Sequence, residues 1–275
     1  MGLRIQNNIA ALNTHRQLQI SDLALSKSLE RLSSGFRINR AADDAAGLSV
    51  SMKFRAQIRS LQQASRNANE ANALLQVAEG GADQISNILS RMKELATQAA
   101  SSNTTSGDRA NISTEVNTLK SEIDRIAAST KYGTTSLIDG SFVNSTFQVG
   151  SENNADNQIT FSLGDMRTGT AGLNVDVDVS TQSGAQVALT TIDTAISTLA
   201  DRRSTIGVMQ NRFGFTIANI ATSVENITAA ESVIRDSDLA FETIAFTKNQ
   251  ILLQAGTAML AQANLAPQFL LGLLG

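Results

Sequence analysis

The chain has 275 residues, enough for one or two domains, with a formal net charge of −3 and no cysteine. Without cysteine there is no disulfide framework, thiolate metal site or cysteine nucleophile, and the lack of a basic stripe or Arg/aromatic cluster argues against nucleic acid as a partner. One proline, one histidine, no tryptophan and 4% aromatics favour long unbroken helices meeting along thin aliphatic seams, because proline interrupts helices and large rings build thick cores.

At the N-terminus Asn7, Asn8 and Asn13 interrupt any apolar run, so the start does not read as a Sec signal. Gln6 stands where a myristoylation motif needs Ser or Thr. Ile5, Ile9 and Leu12 form one stripe, and Leu18, Leu25, Leu29 and Leu32 continue a helix as far as "SSG". His15 has no second His or Cys at ligand spacing and reads as an interface residue, not a metal ligand. "RINRAADDAAG" then sets Arg37 and Arg40 before Asp43 and Asp44, one of which is expected to cap the next helix.

That helix carries a 3-4 alternation through Ala71, Leu75, Ala78, Ala82, Ile85, Leu89, Met92, Ala96 and Ala99. Phe54, Ile58, Leu61 and Ala68 continue it upstream, with a phase slip expected near Ala68. Around Met92, the side chains of Arg91, Lys93, Glu94 and Leu95 are expected to face outward. "SSNTTSGD" is a turn signal ending in Asp108 as the expected N-cap of a shorter helix, whose seam is Ile112, Val116, Leu119, Ile123 and Ile126. From Lys131 to Ala185 the composition shifts to Gly, Ser, Thr, Asn and Asp. Phe147/Val149, Ile159/Phe161/Leu163 and Leu173/Val175/Val177/Val179 read as short strands, with Gly150–Gln158 as a hairpin loop and Asp176 and Asp178 facing water.

A second long seam runs through Leu189, Ile192, Ile196, Leu199, Ile206, Phe213, Ile217, Ile220, Val224, Ile227 and Ile234, with Arg203, Gln210 and Glu231 where the row breaks. At 1.5 Å per residue such a helix is about 70 Å long. Near the C-terminus two rows run in parallel: Leu239, Phe246, Leu253, Leu260, and Ile244, Ile251, Ala258, Leu265, with Pro267 expected to end the helix. A helix apolar around most of its girth needs cover. One N-terminal helix covers only one side, so the remaining surface predicts self-association. No run of 18 apolar residues occurs, so no membrane span or membrane partner is expected.

The segments "NNIAALNTHRQL", "SLERLSSGFRINRAADDAAGLSVS", "RSLQQASRNANEANALLQVAEGGADQISNILSRMKELATQAA", "VMQNRF" and "NQILLQAGTAMLAQAN" resemble the two terminal regions of bacterial flagellin, over roughly 1–140 and 187–275. Phe36 departs from a more usual Leu, and the segment between the matched halves is short. The expected fold is mainly α: a long-helix coiled-coil bundle with a small β-hairpin region, in which the N- and C-terminal helices pair. The resemblance implies an inner filament-core domain, 1–45 with 235–275, packed by Ile5, Ile9, Leu12, Leu25, Leu29, Leu32, Leu239, Ile244, Phe246, Ile251, Leu253 and Leu260. It implies an outer-tube domain, 46–234, with its hairpin at about 140–164, and a spoke at Arg37, Arg40, Asp43 and Asp44, where Arg and Asp could pair within or between subunits.

The same resemblance implies a structural subunit of the flagellar filament, exported unfolded through the flagellar type III route and residing outside the cell. The implied partners are copies of itself, an export chaperone on the C-terminal helix, and filament cap and hook-associated junction proteins. Carried over position by position, Arg91, Leu95, Glu115, Ile192, Ile196 and Arg212 match the surface that Toll-like receptor 5 recognises in receptor-activating members. Ser141, Ser145 and Thr146 are candidate O-glycosylation sites. No cofactor and no catalytic group is expected, since no acid, base, nucleophile or metal cluster emerges. The alternatives are a hook–filament junction protein and a soluble coiled-coil adaptor.

Overall fold

A computed structural model describes residues 7–274, with side chains as far as Leu265. Five helices dominate: α1 (Ile9–Ser34), α2 (Ala45–Ala100), α3 (Ser106–Ser129), α4 (Gln182–Arg235) and α5 (Leu239–Leu274). Between α3 and α4 lie two antiparallel two-stranded ribbons, β1 (Lys131–Tyr132) with β2 (Thr135–Ser136) and β3 (Ser145–Gln148) with β4 (Gln158–Phe161). The fold is mainly α, with a small hairpin region and paired terminal helices. It divides into two compact units: residues up to Ala56 together with those from Asn226 on, and Gln57–Glu225.

In the unit Gln57–Glu225, α2 supplies an uninterrupted buried row: Ala71, Leu75, Ala78, Ala82, Ile85, Leu89, Met92, Ala96 and Ala99 are all fully buried. Leu61, Ala64 and Ala68 extend the row. The phase slip expected near Ala68 sits earlier, between Ile58 and Ala64, because Ala64 takes the buried position and the 3-4 step is regular from there. Antiparallel to α2, α4 buries Ala185, Ala188, Ile192, Ala195, Leu199, Ile206, Phe213 and Ile220. Two of these positions are alanines adjoining the predicted Leu189 and Ile196, which pack half-buried on the flank. Arg203 crosses between these helices to Glu79 at 2.8 and 2.6 Å, and Lys93 to Asp193 at 2.5 Å.

The third helix, α3, closes this bundle with Ile112, Val116, Ile123 and Ala127 buried. Its N-cap is Thr105, not the expected Asp108. Asp108 is the fourth member of a capping box: Thr105 Oγ1 accepts from the Asp108 N–H at 3.2 Å, while Asp108 Oδ2 accepts from the Thr105 N–H at 3.2 Å. Arg109 donates to the Ala99 and Ser101 carbonyls, each at 2.8 Å, and Gln182 donates to Ala100 O at 3.2 Å, so free carbonyls at the end of α2 find partners. At Gly81 an added Cβ would lie 2.7 Å from Thr130 Oγ1 and 3.0 Å from Ile138 Cδ1. Glycine is needed there for close approach of the chain beyond α3, whereas Gly80 faces open space.

The β3–β4 ribbon pairs Phe147 with Ile159 and Ser145 with Phe161. Its two phenylalanines stack at 5.4 Å between ring centroids, and both meet Phe213 of α4 edge-on, at 6.0 and 5.9 Å. Phe142 adds a fourth ring, 5.5 Å from Phe161. The predicted strand through Leu173, Val175, Val177 and Val179 is not one. Those four residues are buried and alternate with exposed neighbours, but Leu173 lies in a turn and Asn174 has a φ of +51°, so the extended stretch is confined to 175–179, and no second strand pairs with it. Asp176 and Asp178 face solvent, as the alternation requires.

In the other unit, α1 and α5 run antiparallel. Asn8 Nδ2 donates to Ala263 O at 2.7 Å, Leu18 approaches Gly256, and Arg31 lies 3.5 Å from Glu242. The α5 helix continues through Pro267 to Leu274, so the expected stop there is overturned. A proline costs a helix one donor and a clash with the turn before it. That penalty is local and does not forbid the helix from continuing.

Candidate assembly surfaces

The side of α1 that meets α5 follows a 3-4 spacing through Ala11, Thr14, Leu18, Ser21, Leu25, Ser28 and Leu32, all buried or half-buried. The matching side of α5 is Glu242, Phe246, Asn249, Leu253, Gly256, Leu260 and Ala263. The pairing therefore alternates leucines with small or polar residues. Of the predicted packing residues, Leu25, Leu32, Phe246, Leu253 and Leu260 lie in this seam. Ile9, Leu12, Leu29, Leu239, Ile244 and Ile251 do not: each is more than half exposed. Ile9, Leu12, Leu29, Ile244 and Ile251 fall off the 3-4 spacing and onto other sides of the same two helices, whereas Leu239 continues the spacing but is the first residue of α5. Ile5 lies outside the described residues.

The exposed set is extensive. On α1, Ile20 and Leu23 join Ile9, Leu12 and Leu29; on α5, Phe241, Leu252, Met259 and Leu265 join Leu239, Ile244 and Ile251. Thr243, Ile244, Thr247, Lys248, Ile251 and Leu252 line a shallow apolar groove on α5. His15 is exposed on α1.

The turn between α1 and α2 starts at Gly35, whose φ of +74° ends α1 in the left-handed conformation that glycine adopts without strain. The chain then pairs with the end of α4. Arg37 N donates to Arg235 O at 2.7 Å, its guanidinium to Ile234 O at 2.6 Å, and Ser237 N to Gly35 O at 3.0 Å. The Arg235 guanidinium lies 4.1 Å above the Phe36 ring. Arg40 pairs with Glu30 at 2.8 Å and Asp43 with Lys27 at 2.8 Å. Asp44 caps α2, accepting from the Gly47 N–H at 2.9 Å. The four expected spoke residues form no Arg–Asp side-chain pair within the chain: Arg40 and Asp43 are taken by Glu30 and Lys27 of α1, Arg37 by the Ile234 carbonyl and Asp44 by the Gly47 N–H. The Lys27 hydrogen bond above all, then the Arg40 backbone N–H, holds the Asp43 carboxyl down to about 2.

Of the six positions matched to the receptor surface, Arg91 and Glu115 are exposed and joined at 3.0 Å, with Glu94 on the same guanidinium. Glu94 first, then Glu115, raise the Arg91 guanidinium above its ordinary value. Arg212 is exposed and Ile196 half-buried. Leu95, expected to face outward, is instead 3% exposed, and Ile192 is fully buried. Both belong to the core between α2, α3 and α4. Leu95 adjoins the seam residue Ala96, and the third helix widens the buried side of α2 enough to take it in. Ser141 and Thr146 are exposed and Ser145 half-buried. The Ser141 hydroxyl donates to Asp139 at 2.6 Å, and Thr146 shares a hydrogen bond with Thr160 at 2.8 Å. Among the described residues no group of three or more His, Cys, Asp or Glu is placed to hold a metal ion.

Comparison with known proteins matches residues 5–143 to the bacterial flagellin N-terminal helical region and residues 189–274 to the bacterial flagellin C-terminal helical region. The chain belongs to the bacterial flagellin family. A flagellin of Halalkalibacterium halodurans is 42% identical over 270 residues, 98% of this chain and 99% of that one. The flagellar filament 33 kDa core protein of Treponema phagedenis is 40% identical over 286 residues, covering 98% and 99%. Among solved structures, a crystal structure of Bacillus cereus flagellin aligns with a TM-score of 0.50 at 29% identity, over 60% of this chain and 94% of that chain. Within this flagellin-family chain, the seam residues Ser21, Ser28, Asn249 and Gly256 escape a reading based on hydrophobic stripes. Their only sequence signal is their 3-4 spacing between leucines.

Proposed function

We propose that the chain is the structural subunit of a bacterial flagellar filament, polymerising with copies of itself to serve swimming motility outside the cell. One combination supports this most strongly. Both terminal regions match flagellin, and α1 and α5 expose Ile, Leu, Phe and Met side chains although the two helices already pair with each other. Exposed apolar area of that extent marks a binding surface, and repeated contacts of one subunit on the next generate a helical polymer.

In this reading residues 1–45 and 235–275 form the inner layer of the filament and 46–234 the outer tube, with Arg37, Arg40, Asp43 and Asp44 in the spoke between them. The hairpin at about 140–164 takes part in supercoil switching. The chain is exported unfolded through the flagellar type III route, and an export chaperone covers the apolar side of α5 beforehand. Cap and hook-associated junction proteins bound the filament at its ends. A Toll-like receptor 5 surface, with O-glycosylation at Ser141, Ser145 or Thr146, belongs to the same reading. Since Leu95 and Ile192 are buried, the receptor surface rests on Arg91, Glu115, Ile196 and Arg212.

The test is electron microscopy of the purified chain after seeding or salting-out, alongside a chain lacking 235–275. Long tubes from the intact chain and none from the shortened one support the reading. Discrete small oligomers from both would favour a junction protein or an adaptor.

A further inference from the structure

The sequence holds six methionines. Among the described residues, Met92 and Met166 are fully buried, and Met209 packs half-buried against the same core. Met52 on α2 and Met259 on α5 are different: they are 62% and 61% exposed. Both stand on apolar surface. Met52 lines a shallow groove with Ala41, Ala45, Leu48, Lys53 and Ala56. Met259 lies two helical turns beyond Leu252, which is also exposed.

The geometry points to Met52 and Met259 as oxidation sites that control assembly: a two-electron oxidant such as hydrogen peroxide converts their thioethers to sulfoxides in the free subunit, and the sulfoxides block burial against a second copy. This inference rests on the filament reading. In the reaction one peroxide oxygen moves to the methionine Sδ. An S–O bond forms, the O–O bond breaks and water leaves; the sulfur loses two electrons and the peroxide gains them. The product is polar where the unmodified face is apolar, and burying it without a hydrogen-bond donor disfavours the contact. The change is reversible by methionine sulfoxide reductases. Assembly itself protects the site, because neighbouring subunits cover sulfurs that the free subunit exposes. Met92 and Met166 have no such dependence, being shielded by the subunit's own core.

The experiment uses the full chain. Monomer and preformed filament receive the same peroxide doses, and peptide mapping by mass spectrometry reads the sulfoxide at each methionine. The treated monomer is then seeded, before and after incubation with reductases for both sulfoxide epimers. Met52→Gln and Met259→Gln are tested without oxidant. The expected result is oxidation of Met52 and Met259 ahead of Met92 and Met166 in the monomer, and protection of the first two in the filament. The critical concentration for growth should rise about tenfold or more, return after reduction, and be reproduced in direction by the Gln variants. Undiminished growth of the oxidised monomer overturns the inference. So does equal oxidation of the two sites in filament and monomer, loss of growth that reduction does not restore, or normal growth of both Gln variants. Failure of the untreated chain to polymerise is a separate outcome, and it counts against the filament reading.

Discussion

Arg203 of α4 donates two hydrogen bonds to a single oxygen of Glu79 on α2, at 2.8 and 2.6 Å, from the point where the aliphatic row of α4 breaks. Asp83 lies 3.2 Å from the same guanidinium. The second oxygen of Glu79 is buried without a hydrogen-bond partner, so the carboxylate depends on Arg203 for its compensation. Arg203→Ala is expected to lower stability by about 1–2 kcal/mol, and Glu79→Gln/Arg203→Met to recover part of it. Urea unfolding of the three chains measures this. An unchanged midpoint for Arg203→Ala would show the bridge to be energetically inert.

Phe213 holds the β3–β4 ribbon to α4 through two edge-on ring contacts and is fully buried. Removing that ring leaves a cavity under both Phe147 and Phe161. Phe213→Ala should cost about 3–5 kcal/mol, and hydrogen exchange should show the ribbon losing protection before the α2 seam does. Equal loss throughout would mean the ribbon and the seam form one cooperative block.

Two adjacent glycines of α2 should respond in opposite directions to alanine. At Gly80 there is open space, so Gly80→Ala removes backbone freedom from the unfolded chain and should stabilise by about 0.5–1 kcal/mol. At Gly81 the new methyl meets Thr130, a β-branched side chain whose hydroxyl is already committed to Ile126 O at 2.7 Å. Gly81→Ala should therefore destabilise. Thermal unfolding of the pair decides, and a shared sign would contradict the packing described here.

Asp43 titrates at about 2, lowered from 3.8. A carboxyl with a depressed folded-state value stabilises the fold above its unfolded value and loses that contribution as pH falls. The contribution of Asp43 is thus complete above about pH 4 and disappears as pH drops through about 2. Lys27→Met should move the Asp43 titration upward toward the ordinary carboxylate range, read by NMR of the side-chain carbonyl carbon. No movement would assign the low value to the backbone N–H groups of Asn39 and Arg40 instead.

The long α2 seam could be read from sequence because alanine and leucine recur there with nothing else competing for the same positions. The α1–α5 seam was harder to read. Ser21, Ser28 and Asn249 occupy it, while leucines and isoleucines of equal prominence stand outside it. Hydropathy identifies which side chains need cover but not whether the cover comes from the same chain. The same limit explains Leu95: its burial depends on α3, a third helix that the row pairing α2 with α4 does not include. Asp108 has the residue type that caps favour, yet Thr105, three residues earlier, is the cap: it accepts from the Asp108 N–H, and the Asp108 carboxylate reaches back to the Thr105 N–H. The spoke residues were located by resemblance. Their partners Glu30 and Lys27 belong to α1 and carry no motif of their own.

Beyond Val175, whose N–H donates to Thr168 O at 2.9 Å, the segment through Val177 and Val179 anchors its side chains in the core while its backbone belongs to no ladder. Anchoring and amide protection, which coincide in a helix or sheet, are separated there. A probe of side-chain mobility should find these valines as still as those of α4. A probe of backbone exchange should find Val177 and Val179 among the quickest positions outside the turns.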